Sequence, residues 1–201
     1  MKNNQIITIS REFGSGGRTI GKKLAEKLGI PFYDKSIIDK AAEASGLSPE
    51  FIAQAEQKLT SSMLFNFVTF GYQHPDYTPL SDQVYIAEYK VIKDIASQGP
   101  CVIVGRCADS ILKESYDPIN IFVYANTAFK IERCVNVYGI PLKDAEKEIK
   151  DHDKQRSRHY QYYSELIWGS KANYDLCVNS SVLGIDGSVE LIQNFIDIIE
   201  K

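Results

Sequence analysis

The residues of this chain best suited to chemistry form a glycine-rich stretch near its start, which reads ISREFGSGGRT over residues 9–19. A β-branched apolar run precedes the glycines and an amphipathic helical pattern follows them. Glycines let consecutive backbone N–H groups turn towards an anion, and the start of a helix adds its positive end. The stretch therefore predicts a phosphate-binding loop formed by Gly14, Ser15, Gly16, Gly17, Arg18 and Thr19.

The loop departs from the usual phosphate-loop pattern, G-x-x-x-x-G-K-[ST], at its basic residue. In one register Glu12 stands at the first glycine and Arg18 at the lysine, whereas a shift by one residue puts Gly17 at the lysine. Both registers lack the lysine. Arg18 is the first candidate to replace it, although a guanidinium differs from an ammonium in length and planarity. A glycine-rich turn that binds nothing is the alternative interpretation.

Two charged residues follow other predicted strands. Asp34 comes after the apolar residues 31–33, and Arg106 comes after the run 101–104. Ligands of open α/β folds bind beyond the carboxyl ends of the strands, so both side chains are candidates for ligand contact. A guanidinium can hold a phosphate or carboxylate with two hydrogen bonds. The structural alternatives are a helix cap for Asp34 and an ion pair with a nearby acid for Arg106.

A basic stretch, residues 150–160, lies near the end of a long helical pattern that begins at position 141. Lys154, Arg156 and Arg158 cannot share one helix face, because residues i and i+2 point about 200° apart. A helix end that closes over a ligand could bring two of them to a phosphoryl group, where arginines neutralise developing charge. If Arg18 does not replace the lysine, the role passes to Arg11 or to this lid. A solvated helix with mixed charges is the alternative.

The composition is that of a globular enzyme: 201 residues, of which 44% are hydrophobic and 24% charged, with a formal net charge of −3. This charge gives no general reason to bind nucleic acid or an anionic membrane. No apolar run approaches the roughly 20 residues that span a bilayer, so we expect a cytoplasmic protein. The four cysteines form no C-x-x-C pair, and we expect reduced core thiols.

Short apolar runs alternate with helical patterns, which predicts a parallel α/β sheet buried on both faces. The predicted strands are 6–10, 31–33, 101–104, 119–124 and 175–178, and the predicted helices are 19–28, 34–44, 48–58, 81–96, 127–138 and 188–199. The segment 60–80 interrupts this order with aromatic residues among glycine and prolines. Its aromatic side chains could stack on a base, form the contact of a homodimer or cover a small satellite core.

In this order the groups resemble those of bacterial cytidylate kinases. The S-R-E-x-G-S-G-G loop and the stretch Val104-Gly105-Arg106-Cys107-Ala108-Asp109 are more similar still to the cytidylate kinase-like family. The resemblance covers nearly the whole chain. It implies one three-layer P-loop domain over residues 1–201, with a five-stranded parallel sheet in the order 2-3-1-4-5, a helical acceptor-binding insertion at about 35–80 and a lid at about 141–170.

The resemblance also implies the ligands. ATP would be held by the loop, with Mg²⁺ at Thr19, and the acceptor nucleotide by Asp34, Arg106 and Asp109. The transferring phosphoryl group would be met by Arg18, Arg133, Arg156 and Arg158.

Three functions fit the sequence. The first is a kinase that phosphorylates a nucleoside monophosphate, with CMP or dCMP as the preferred acceptor. The second is a nucleotide-binding regulator that kept the loop and lost the chemistry with the lysine. The third is a kinase of another small substrate, because a fold does not determine a substrate.

Overall fold

The computed structural model describes residues 5–34 and 80–200, together with positions 36, 37, 39, 40, 44 and 46. The expected helix 48–58 and the aromatic segment up to position 79 lie outside the described residues, as do positions 35, 38 and 41–43 of the expected helix 34–44. The chain divides into two compact units. One comprises Met1–Asp34 with Ile95–Lys201, and the other comprises Lys35–Asp94.

The first unit is built around a five-stranded sheet. Its strands are β1 (Ile6–Arg11), β2 (Phe32–Tyr33), β3 (Cys101–Val104), β4 (Ile119–Tyr124) and β5 (Leu176–Asn179). All pairings are parallel, and the order is β2-β3-β1-β4-β5. The predicted fold and strand order are thus confirmed. The three inner strands are largely buried, whereas the edge strands β2 and β5 are only partly covered.

Six helices are complete in the described part of the chain. They are α1 (Gly17–Leu28), α2 (Leu80–Ser97), α3 (Ala108–Leu112), α4 (Thr127–Asn136), α5 (Leu142–Ser164) and α6 (Ser180–Ile199). A 3₁₀ turn, Lys171–Asn173, precedes β5. None of these helices is long and apolar enough to cross a membrane.

The core of the first unit joins β-branched strand residues to the buried faces of α1 and α6. Its fully buried members include Ile7, Ile9, Ile20, Leu24, Ile121 and Ile192. A smaller cluster, Cys134, Ala145 and Ile149, packs α4 against α5. This packing fixes the position of α5 next to the glycine loop.

The structure corrects three expectations. Helix α6 begins at Ser180 and not at 188, because the side chain of Asn179 caps a first turn there; Gly184, whose φ of +66° and ψ of −178° are not helical, separates that turn from the rest of the helix. The short helix α3 was not expected. Cys177 is exposed and is therefore not a core thiol, whereas Cys101, Cys107 and Cys134 are buried.

Candidate functional site

The glycine loop connects β1 to α1 at the carboxyl edge of the sheet. Gly14 and Gly16 have φ of +79° and +81°, a region that other residues rarely adopt. Ser15 is fully buried, and its hydroxyl donates to the carbonyl of Glu12 at 2.8 Å. The buried hydroxyl of Ser180 donates to the carbonyl of Ser15 at 2.6 Å. One hydrogen bond to the end of the preceding chain and one from the start of α6 thus hold the loop in shape.

The loop leads into the open end of a helix. Gly16 is the N-cap of α1 and has no side chain to bond the first amides. The first N–H groups of any helix have no acceptor inside it, so those at the start of α1 can take up an anion.

Arg133, from α4, lies over this loop. A Cβ built on Gly16 would meet Cδ1 of Ile185 and would lie 3.3 Å from Nε of Arg133, so a side chain there would crowd the guanidinium. Nη2 of Arg133 lies 3.5 Å from the hydroxyl of Thr19. Its Nε is buried and has no hydrogen-bond partner among the described residues. Since a buried unpaired donor is costly, this arrangement fits a phosphate oxygen.

Helix α5 brings a polar face to the other side of the loop. Asp153, Arg156 and Tyr160 follow the i, i+3, i+7 spacing of one face. The carboxylate of Asp153 accepts the backbone N–H of Phe13 at 2.6 Å, and Nη1 of Arg156 donates to the carbonyl of Arg11 at 3.2 Å. The ring of Phe13 stacks on His152 with the centroids 4.1 Å apart. The predicted lid helix therefore contacts the loop directly.

The lid arginines differ in their placement. Arg156 lies against the loop, with its guanidinium 5.4 Å from the ring centroid of Phe13, and burial lowers its pKa. Arg158 is exposed. The spacing of two residues separates them on the helix, as the sequence indicates.

Arg18 and Asp34 lie together at the edge of the site. Nε of Arg18 donates to Oδ2 of Asp34, and 67% of the Arg18 side chain is exposed compared with 13% for Asp34. Arg18 thus points away from the loop in this structure, towards the end of β2.

Arg106 and Asp109 follow β3. Arg106 has φ of +59°, and burial lowers its pKa to about 10, with a smaller contribution from Arg156. Asp109 is buried and accepts the hydroxyl of Tyr160 at 2.6 Å, and burial raises its pKa. Arg106 is therefore the member of this pair that has the chemistry of an anion ligand, while Asp109 joins α3 to the lid helix.

Sequence reasoning missed an ion-pair cluster beneath the loop. Lys130 is 2.9 Å from Glu12 and 3.7 Å from Asp153, and only 11% of its side chain is exposed. Glu12 also accepts the backbone N–H of Ala125 at 3.3 Å. The i, i+3 spacing of Lys130 and Arg133 on α4 was the available signal, because both residues then face the same element.

No group of three or more His, Cys, Asp and Glu residues that could hold a metal ion occurs in the described ranges. A divalent cation at this site would therefore depend on oxygens of the ligand, with the hydroxyl of Thr19 as a protein donor. This is the usual situation of Mg²⁺ in phosphoryl transfer.

The sheet order and the glycine loop define the P-loop kinase fold. Shikimate kinase from Aquifex aeolicus matches with a TM-score of 0.54 and 20% identity, covering 96% of each chain. Deoxyadenosine kinase from M. mycoides matches with a TM-score of 0.53 and 14% identity, covering 96% of this chain and 98% of that one. An uncharacterized protein from Eubacterium ventriosum has a TM-score of 0.71 and 28% identity, covering 96% and 98% of the two chains.

Within this fold, the chain belongs to the cytidylate kinase-like family, whose model matches residues 6–182. It is 25% identical to a cytidylate kinase of Pyrococcus horikoshii over 197 residues, which cover 98% of this chain and 90% of the relative. A cytidylate kinase of Archaeoglobus fulgidus is 23% identical over 96% of this chain and 94% of its own length. Family and fold together support a phosphotransferase of the nucleoside monophosphate kinase type.

Proposed function

We propose that this chain is a nucleotide kinase that transfers the γ-phosphoryl group of ATP to a nucleoside monophosphate, with CMP or dCMP as the acceptor. One observation carries the proposal: arginines from β1, α4, α5 and the turn after β3 surround a glycine loop at the carboxyl edge of the sheet. Such a set can hold two phosphorylated ligands and the charge that develops between them.

The reaction asks for positioning and charge neutralisation. A phosphate oxygen of the acceptor attacks the γ-phosphorus in line, the bond to the β-phosphate oxygen breaks, and ADP leaves. The loop from Gly14 to Thr19 would hold the ATP phosphates through backbone amides. Mg²⁺, with Thr19 as its protein ligand, would neutralise charge on the β- and γ-phosphates when bound.

The side chains have distinct proposed roles. Arg133 and Arg156 meet the transferring phosphoryl group, since both already lie against the loop. Arg158 and Arg18 are placed to join them only if the lid and the end of β2 move. Arg106 and Asp34 bind the acceptor, with Arg106 on its phosphate, and Asp109 supports the acceptor site through its hydrogen bond with Tyr160.

A nucleotide-binding regulator is the second candidate, and the glycine at the lysine position favours it. ADP release should be measured with purified chain, Mg²⁺-ATP and each ribo- and deoxyribonucleoside monophosphate in turn. We expect the highest kcat/KM with CMP or dCMP. ATP binding by calorimetry without ADP release for any acceptor would favour the regulator, and turnover with a different monophosphate would reassign the acceptor.

A further inference from the structure

Gly17 is a glycine because the stem of Arg11 occupies the space that a side chain at position 17 would need. A Cβ built on Gly17 would lie 2.5 Å from Cβ of Arg11, 3.0 Å from its Cγ and 3.3 Å from Cβ of Val123. The first distance is shorter than real Cβ atoms allow, and the other two are tighter than most real contacts. The residues at 11 and 17 are therefore sterically coupled: one of them can carry a long side chain, and the other must be glycine.

The two positions are the first and the seventh of the eight-residue phosphate-loop pattern. With Arg11 at its first position, Gly16 falls on the second glycine, Gly17 on the lysine and Arg18 on the serine or threonine, so that Thr19 follows one residue later. The structure supports this register, because α1 begins at Gly17 and Gly16 is its N-cap. The chain thus has a cation where the pattern has glycine, and a glycine where the pattern has lysine.

The guanidinium of Arg11 extends from the loop towards the end of β3. It lies against Gly105, whose φ is +81°, and a Cβ there would come within 3.1 Å of Cζ of Arg11. Arg106 and Arg156 are close enough to add to the effect of burial, which lowers the pKa of Arg11 to about 9. The carboxylate of Asp34 opposes this effect on Arg11 and on Arg106, and that of Asp153 lies 3.6 Å from Arg156, but no ion pair within 4.0 Å links Arg11 itself to a carboxylate in the described part of the chain. Three guanidiniums gathered in this way favour an anionic ligand.

We propose that Arg11 supplies the cation of the phosphate loop, reaching the donor's β- and γ-phosphate oxygens from the end of β1 in place of a lysine at the start of α1. This deepens the proposed function and rests on it for the identity of the donor. It assigns to Arg11 the role first considered for Arg18, whose side chain pairs with Asp34.

Exchanging the residues at positions 11 and 17 tests both their steric coupling and the role of the cation in transfer. The variants are Arg11→Gly, Gly17→Lys and the double variant, each checked for folding by thermal unfolding and for transfer by single-turnover kinetics. We expect Arg11→Gly to slow transfer by about 100-fold or more. Gly17→Lys alone should unfold at lower temperature, because two long side chains compete for one space. The double variant should recover both the unfolding temperature and at least 10-fold in rate over Arg11→Gly. A folded double variant no faster than Arg11→Gly would overturn the proposal.

Binding measurements separate this inference from the proposed function. Arg11→Met keeps the apolar stem and removes the charge, and Lys22→Met removes one exposed charge from α1 as a control. By calorimetry, we expect Arg11→Met to weaken ATP about 10-fold and CMP less than 2-fold, with Lys22→Met like wild type. If wild type binds ATP but phosphorylates no acceptor, the proposed function fails and this comparison still decides the role of Arg11. If Arg11→Met weakens CMP binding and leaves ATP binding unchanged, Arg11 contacts the acceptor and the proposal is overturned. If the variant changes neither binding nor the rate of transfer, Arg11 is not a phosphate ligand.

Discussion

The carboxylate of Asp153 accepts the backbone N–H of Phe13 at 2.6 Å, which joins the lid helix to the chain just before the first glycine of the loop. The same carboxylate lies 3.7 Å from Nζ of Lys130 and 3.6 Å from Nη1 of Arg156. Burial raises the pKa of Asp153, whereas the loop amide and the two cations oppose that shift. One side chain on α5 therefore connects the loop, the buried lysine and a lid arginine.

We expect Asp153→Ala to destabilise the chain by about 1–3 kcal/mol, because it leaves the amide of Phe13 and a buried lysine short of a partner. Asp153→Asn keeps an acceptor for the amide and should cost less. Urea unfolding of the two variants measures the difference. Equal losses in both would mean that the charge on Asp153, and not its hydrogen bond to the loop, determines the stability.

The lid arginines should differ in their effect on transfer. Arg156 donates to the carbonyl of Arg11 at the end of β1 and lies beside Phe13, whereas Arg158 is exposed on another face of α5. We expect Arg156→Met to slow single-turnover transfer about 100-fold and Arg158→Met to slow it less. A larger loss with Arg158→Met would indicate that α5 rotates or shifts when both ligands bind.

The sequence predicts the sheet well, because buried parallel strands are short apolar runs with clear ends. The strands Cys101–Val104 and Ile119–Tyr124 agree with their expected bounds, and Gly29 ends α1 in the left-handed conformation as expected. These features depend on local pattern and turn chemistry. The loop was also predictable, since its glycines stand between a strand and a helix.

The partners of the loop were not predictable in the same way. Asp153 and Phe13 are 140 residues apart, and Lys130 and Glu12 are 118 apart. Such contacts depend on how α4 and α5 pack against each other through Cys134, Ala145 and Ile149. The periodicity of apolar residues in the sequence does not indicate which helices pack together. Arg11 was considered only as a substitute for Arg18, because its coupling to Gly17 is a matter of three-dimensional distance.

Gly16 should tolerate no side chain, because a Cβ there would meet the guanidinium of Arg133 and the side chain of Ile185. We expect Gly16→Ala to weaken ATP binding at least 10-fold, measured by calorimetry. Gly139→Ala is the matched control: its φ of +69° imposes a similar backbone strain, but a Cβ there has no atom within 4 Å. If both variants lose the same affinity, general destabilisation and not displacement of Arg133 explains the result.

The pH dependence of stability should report on His159, whose Nδ1 lies 3.5 Å from Sγ of Cys107. Burial, with a contribution from Arg106, lowers the pKa of His159 to about 4. The unfolded chain, with a histidine pKa near 6.5, therefore binds more protons than the folded chain between about pH 6.5 and 4. The free energy of unfolding is therefore highest above this window, where His159 is neutral in both states. It decreases by up to about 3 kcal/mol as the pH falls through the window.

His159→Gln should remove most of that slope, because glutamine fills a similar volume and does not titrate. His152→Gln is the comparison, since burial also lowers the pKa of His152 but 42% of that side chain is exposed. Urea unfolding at several pH values from 4 to 7 gives the slope for each variant. We expect a much smaller slope for His159→Gln and a nearly unchanged one for His152→Gln. If instead the slope survives in His159→Gln and disappears in His152→Gln, the histidine that stacks on Phe13, and not the one beside Cys107, controls the acid stability of the site.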